Sequence, residues 1–64
     1  MSNANTAAAA HLAAIRANVE DWYADRISHP EFHARAVWLH AAADAEGPAV
    51  RESLATMMRE SLRS

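Results

Sequence analysis

Histidines and carboxylates are the side chains of this sequence with the most obvious chemistry. His29 and His33 are four residues apart, a spacing that suits a metal ion when both side chains lie on one helix. Pro30, however, marks a helix start, where the ring of His29 need not align with that of His33. No cysteine or third well-placed ligand completes a set. We therefore expect no metal site and no bound cofactor.

A second pair, His40 and Asp44, has the same spacing within one helix. The two side chains are expected to form a surface ion pair or hydrogen bond. With His33 they could instead form a pH-sensitive stripe at an interface, because histidine titrates near physiological pH. The usual exposure of charged stripes to water favours the simpler alternative, a solvated polar edge.

The sequence offers no combination of a nucleophile with a base. Ser28 and Ser53 have no base placed near them by spacing. Glu20, Asp21 and Asp25 lie on an open helical face, which is not the setting that general acid–base carboxylates require. A chain of 64 residues also struggles to fold around a substrate-sized cavity. We therefore expect no catalytic residues, no small-molecule substrate and no enzyme activity.

The helices that carry these side chains can be recognised from the residues that begin and end them. Residues 1–5 are polar and are expected to form a disordered tail ahead of one helical domain over residues 6–64. The first helix is expected over 6–27, with Asn18 on its polar face. Its apolar stripe comprises Ala8, Leu12, Ile15, Val19, Trp22 and Tyr23.

Ser28 and Glu31 have the spacing of a capping box and predict the start of a second helix, over 30–45. Gly47 can adopt the left-handed conformation that ends a helix, and Pro48 can open the next one, expected over 48–62. The connections are short, which favours antiparallel neighbours. The predicted fold is therefore all-α, a short three-helix bundle in which helix two is central.

Helix two differs from its neighbours because it is apolar on two sides. A helix that is apolar nearly all round is normally buried, so helix two is expected to contact other helices through both faces. One face comprises Phe32, Ala36, Leu39 and Ala43, and the second comprises Ala34, Trp38, Ala41 and Ala45. Trp22 is expected in the core, whereas Trp38 fits a core role and a partner-binding role equally well.

Composition and charge limit the functions that such a bundle can have. Alanine supplies 17 of the 33 hydrophobic residues, so the core is thin, and small chains of this kind often gain stability by association. The net charge is −2 and no segment forms a basic stripe, which argues against nucleic-acid and membrane-surface binding. Nothing approaches the length of a membrane span. The absence of cysteine favours a cytoplasmic protein over a small secreted one.

We therefore expect a small non-enzymatic protein-interaction module, a regulator, inhibitor or assembly factor that acts through an exposed apolar helix face. Its partner is expected to be a second copy of the chain, as in a homodimer, or a larger protein. The expected interface has Trp38 as its anchor, alanines around it and polar residues on its rim. The interface residues are Trp38, Ala34, Ala41, Ala45, His33, His40 and Arg35.

The alternative is a dimeric helical DNA-binding transcriptional regulator. Gly47 lies where a helix-turn-helix motif has its turn glycine, and helix three carries Arg51, Arg59 and Arg63. Glu52 and Glu60 lie among these arginines and weaken the basic face that DNA recognition needs.

Overall fold

The described residues of this chain form three helices and no strand. A computed structural model describes residues 3–63, with α1 at Asn3–Tyr23, α2 at His29–Ala45 and α3 at Pro48–Arg63. This confirms the all-α three-helix fold. Helix α2 contacts both other helices, as expected of a central element; α1 does so too, and the most extensive contact joins α1 to α3.

Helix α1 begins at Asn3, three residues before the start that its sequence predicts. Contacts with the rest of the bundle explain the extra turn. Ala4 packs against the core, and the Asn5 Oδ1 accepts a hydrogen bond from the Ser53 hydroxyl of α3. Of the tail expected at 1–5, residues 3–5 are thus helical, and residues 1 and 2 lie outside the described part of the chain.

Helix α1 ends at Tyr23, so the expectation that it runs to Ile27 is wrong. The chain leaves the helix through Asp25, whose φ of 59° is in the left-handed region. The Asp25 N–H donates to the Trp22 carbonyl at 3.1 Å, and the Arg26 N–H donates to the Asp21 carbonyl at 2.9 Å. These two bonds form a Schellman motif, in which the left-handed position is usually glycine.

The start of α2 follows the predicted capping box. The Ser28 hydroxyl accepts a bond from the Glu31 N–H at 3.3 Å, and the Glu31 carboxylate accepts one from the Ser28 N–H at 3.2 Å. The bond from the Ser28 N–H foremost, and a second one that the Ser28 hydroxyl donates to the Glu31 Oε1 at 3.1 Å, lower the pKa of Glu31. At the other end Gly47 has a φ of 109°, the left-handed conformation predicted for it.

The core is small and lies mainly where α1 meets α3. No large side chain of residues 3–63 is completely enclosed, because alanine lets the helix backbones approach closely but fills little volume. The buried cluster consists of Ala8, Ala43, Val50 and Leu54. Six partly buried residues pack around this cluster: Ala4, Ala7, Leu12, Ile15, Met57 and Met58.

Candidate functional site

The first apolar face of α2 points into the bundle. Phe32, Ala36 and Leu39 are half-buried there and Ala43 is buried. Helix α2 contacts both α1 and α3, as expected of a central element, but both neighbours lie on this one side of it. Residues 3–63 form no fourth element that could cover the other side.

The second apolar face of α2 is open to solvent. Trp38 is 78% exposed, and the adjacent Val37 is 57% exposed. The predicted interface alanines, Ala34, Ala41 and Ala45, are exposed as well. We call these five residues the Trp38 face. All five are exposed in the described part of the chain, residues 3–63.

Shallow depressions flank the indole of Trp38 on both sides. One, of about 280 Å³, lies between α1 and α2 and has small α1 residues such as Ala14 and Ala17 in its wall. The other, of about 370 Å³, is lined by Val37, Trp38, Ala41 and Ala42. The indole therefore stands between two hollows, and the one over α2 has small apolar side chains beside the indole. This relief suits a partner that presents its own large side chain beside small ones.

The rim of the Trp38 face is polar, and one of its members is held in place. The Arg35 Nη1 donates to the Asp21 Oδ2 at 3.3 Å, while the Arg26 Nε donates to the Asp21 Oδ1 at 2.8 Å. The hydrogen bond from Arg26, with the charges of both arginines, lowers the pKa of Asp21. The guanidinium of Arg35 therefore has a fixed place at the α1 side of the face.

The histidines on the rim have no such anchor. His33 and His40 are exposed, as is Asp44. The hydrogen bond or ion pair expected between His40 and Asp44 does not form among the described residues. These three side chains form a solvated polar edge within a single chain.

Asn18 is a buried polar residue that the helical pattern places on the wrong side of α1. It is 5% exposed, and its Nδ2 donates to the Phe32 carbonyl of α2 at 3.1 Å, while its Oδ1 has no hydrogen-bond partner among residues 3–63. The expectation of an outward-facing Asn18 is wrong because α1 packs on two sides, against α3 through its apolar stripe and against α2 through the Asn18 side. No signal in the sequence identifies that second side.

An aromatic cluster joins the end of α1 to the start of α2. The ring of Trp22 stacks on that of Phe32, with centroids 4.5 Å apart and an interplanar angle of 16°. The His29 ring lies 5.7 Å from Trp22. Trp22, expected in the core, is instead half-buried in this cluster at the end of the bundle, and Tyr23, also assigned to the apolar stripe, is 79% exposed.

The cluster also separates the two histidines whose spacing suggested a metal ion. Both histidines are exposed, but the ring of His29 lies against Trp22 and Phe32, and no such ring contact involves His33 among residues 3–63. Within residues 3–63, no three His, Asp or Glu side chains come together in a way that could hold a metal ion.

Two contacts that the sequence analysis did not predict tie α1 to other parts of the bundle. The His11 Nε2 contacts the Glu46 carboxylate at the end of α2. The Arg16 Nη2 donates to the Ser61 hydroxyl of α3 at 3.0 Å. Both join residues far apart in sequence, which explains why local patterns do not reveal them.

The arginines of α3 do not form a continuous basic surface. Arg51, Arg59 and Arg63 are all exposed, but so are Glu52 and Glu60 between them. Acidic and basic side chains therefore alternate along the helix that the DNA-binding alternative would use.

Comparison of the sequence with known protein families, with curated proteins and with solved structures finds no match. Over the described residues, none of the three helices combines the length and the apolar character needed to cross a bilayer.

Proposed function

We propose that this chain is a small, non-enzymatic protein-interaction module that acts through the Trp38 face. The exposure of Trp38 carries the proposal, because an aromatic side chain 78% open to water has much to gain from a partner. Tryptophan is enriched among the residues that dominate binding energy at protein interfaces. The surrounding alanines allow the backbone of a partner helix to come close.

The thin core supports the same proposal. Outside the small buried cluster, most large apolar side chains are half-buried, so the isolated chain has little surplus stability. A partner that binds only the folded chain stabilises it by mass action. Association would thus stabilise the fold as well as serve the function, which fits a regulator, inhibitor or assembly factor.

The two carboxylates whose pKa values depart from the ordinary ones have structural partners. Asp21 and Glu31 both have lowered pKa values, from the ion pairs with arginine and from the capping box respectively. A carboxylic acid that acts as a general acid at neutral pH needs a raised pKa, so neither shift is in the direction that such catalysis requires. Because the sequence has no cysteine for the disulfides of a small secreted domain, we place the module in the cytoplasm.

The test compares two substitutions of exposed apolar residues. Trp38→Ser removes the anchor of the face, and Leu62→Ser removes an 87% exposed residue of α3 outside it. The tagged variants are expressed in the native host, and the proteins that copurify are identified by mass spectrometry. We expect Trp38→Ser, but not Leu62→Ser, to lose the specific partner. Equal retention of every partner by both variants would contradict the proposal.

A further inference from the structure

We infer that the Trp38 face is covered by a second copy of this chain, with the two α2 helices antiparallel and each Trp38 packed over Ala41 of the other copy. This inference rests on the proposed function, because it names the partner of the same face. The spacing, relief and area of the face support this arrangement, and the charges beside the face are compatible with it.

The spacing of the face is the same in both directions along α2. Ala34, Trp38, Ala41 and Ala45 follow one another at intervals of four, three and four residues. These intervals are those of a helix–helix seam. When a second copy runs antiparallel, Trp38 lies opposite Ala41 of the other copy, and Ala34 lies opposite Ala45. Each large side chain then meets a small one, so the two faces fit without opposed indoles.

The charges beside the face are compatible with the antiparallel arrangement. Arg35 and Ala42 lie on one edge of the face, and Val37 and Asp44 lie on the other. The antiparallel pair places Arg35 beside Ala42 of the second copy and Asp44 beside Val37, so no like charges meet at either edge.

The relief of the surface agrees with this register. Ala41 lies in the hollow of about 370 Å³ that is also lined by Val37 and Ala42. An indole placed over Ala41 of the second copy would enter this hollow. The same hollow of the first copy would receive the indole of the second copy, as the twofold symmetry of a homodimer requires.

The area of the face sets the strength of the dimer. Helix α2 has 17 residues and is therefore about 25 Å long at ~1.5 Å per residue. Two indoles at roughly 150–250 Å² each, with the flanking alanines, bring the total buried area to about 1,000 Å². That is the lower limit for a specific interface, so we expect a reversible dimer that dissociates at roughly micromolar concentration.

Single cysteines test the register directly, because the chain contains no cysteine of its own. We expect an oxidised mixture of Ala34→Cys and Ala45→Cys chains to form a disulfide-linked dimer. Each variant alone should not, since its two cysteines would lie about 16 Å apart along the helices at ~1.5 Å per residue. Leu62→Cys, outside the face, is the control and should not cross-link. Cross-linking of either face variant with itself at the rate of the mixture, or none in the mixture, would overturn the inference.

Exchanging the large and the small side chain at positions 38 and 41 provides the second test. Trp38→Ala and Ala41→Trp should each weaken dimerisation by about tenfold or more in sedimentation equilibrium. The double variant again opposes one tryptophan to one alanine and should recover the dimer. Failure of the double variant to recover it overturns the inference.

The inference and the proposed function fail in different ways. A chain that stays monomeric but loses a different protein when Trp38 is replaced overturns the inference and leaves the proposed function standing. A chain whose self-association and partner binding are both insensitive to Trp38 overturns both.

Discussion

Asp25→Gly tests how α1 ends. The substitution should stabilise the chain if α1 ends at Tyr23, and destabilise it if α1 continues to Ile27. The left-handed backbone at Asp25 costs an L-residue about 1–2 kcal/mol, less for aspartate than for most. Glycine removes this cost but gives the unfolded chain about 0.4–1 kcal/mol of additional entropy. We therefore expect a net stabilisation of about 0.5 kcal/mol, which raises the melting temperature by roughly 2–4 °C in a domain of this size.

If α1 instead continued to Ile27, as the hydrophobic pattern alone predicts, Asp25 would lie inside a regular helix. Glycine there would destabilise the chain by up to about 1 kcal/mol. Thermal and urea unfolding followed by circular dichroism distinguish the two outcomes. A lower melting temperature for Asp25→Gly would refute the Schellman end of α1.

Gly47→Ala is the matched control, because Gly47 also has a positive φ and a Cβ there would meet nothing within 4 Å. Any loss of stability must then come from the backbone conformation, and we expect about 1 kcal/mol. The two substitutions should thus have opposite signs at two equivalent positions. Steric packing would then not explain the change in stability at either position.

Three further predictions concern the cap, the carboxylates and the core. Ser28→Ala should lower the free energy of unfolding by about 1 kcal/mol through loss of the cap, measured by urea denaturation, and no loss would contradict the capping box. Because folding lowers the pKa values of Asp21 and Glu31, their contribution to stability is present above the ordinary values of 3.8 and 4.5 and is lost as pH falls through the lower folded values. A melting temperature that does not fall as pH is lowered through this range would contradict a stabilising contribution from the two ionised carboxylates. Leu54→Ala should cost about 2–5 kcal/mol, enough to abolish the cooperative transition of so thin a core, and a retained sharp transition would contradict it.

Local signals predicted the features that depend on a few neighbouring residues. Ser28 and Glu31 form the capping box, and Gly47 takes the left-handed conformation, because each geometry is determined within one turn of helix. The number and order of the helices followed from these boundaries. The two apolar faces of α2 were also visible in the sequence.

The features that the sequence analysis missed depend on how the helices meet. Asp25 adopts a left-handed conformation that glycine normally takes. Backbone hydrogen bonds stabilise the chain reversal at this point, and the Arg26 side chain pairs with Asp21. Asn18 is buried because α2 packs against that side of α1. The sequence left open whether Trp38 lies in the core or at an interface, since the pattern does not show how many neighbours are present to cover the second face of α2.

The measurement that most directly tests the use of the Trp38 face is the fluorescence of Trp38 as a function of chain concentration. Trp22→Phe leaves Trp38 as the one fluorescent indole and keeps an aromatic ring beside Phe32. We predict that dilution through the micromolar range shifts the emission to longer wavelength and increases quenching by iodide, while Leu62→Ser in the same background behaves identically. Emission and quenching that remain those of an exposed indole at every concentration would contradict self-association through this face.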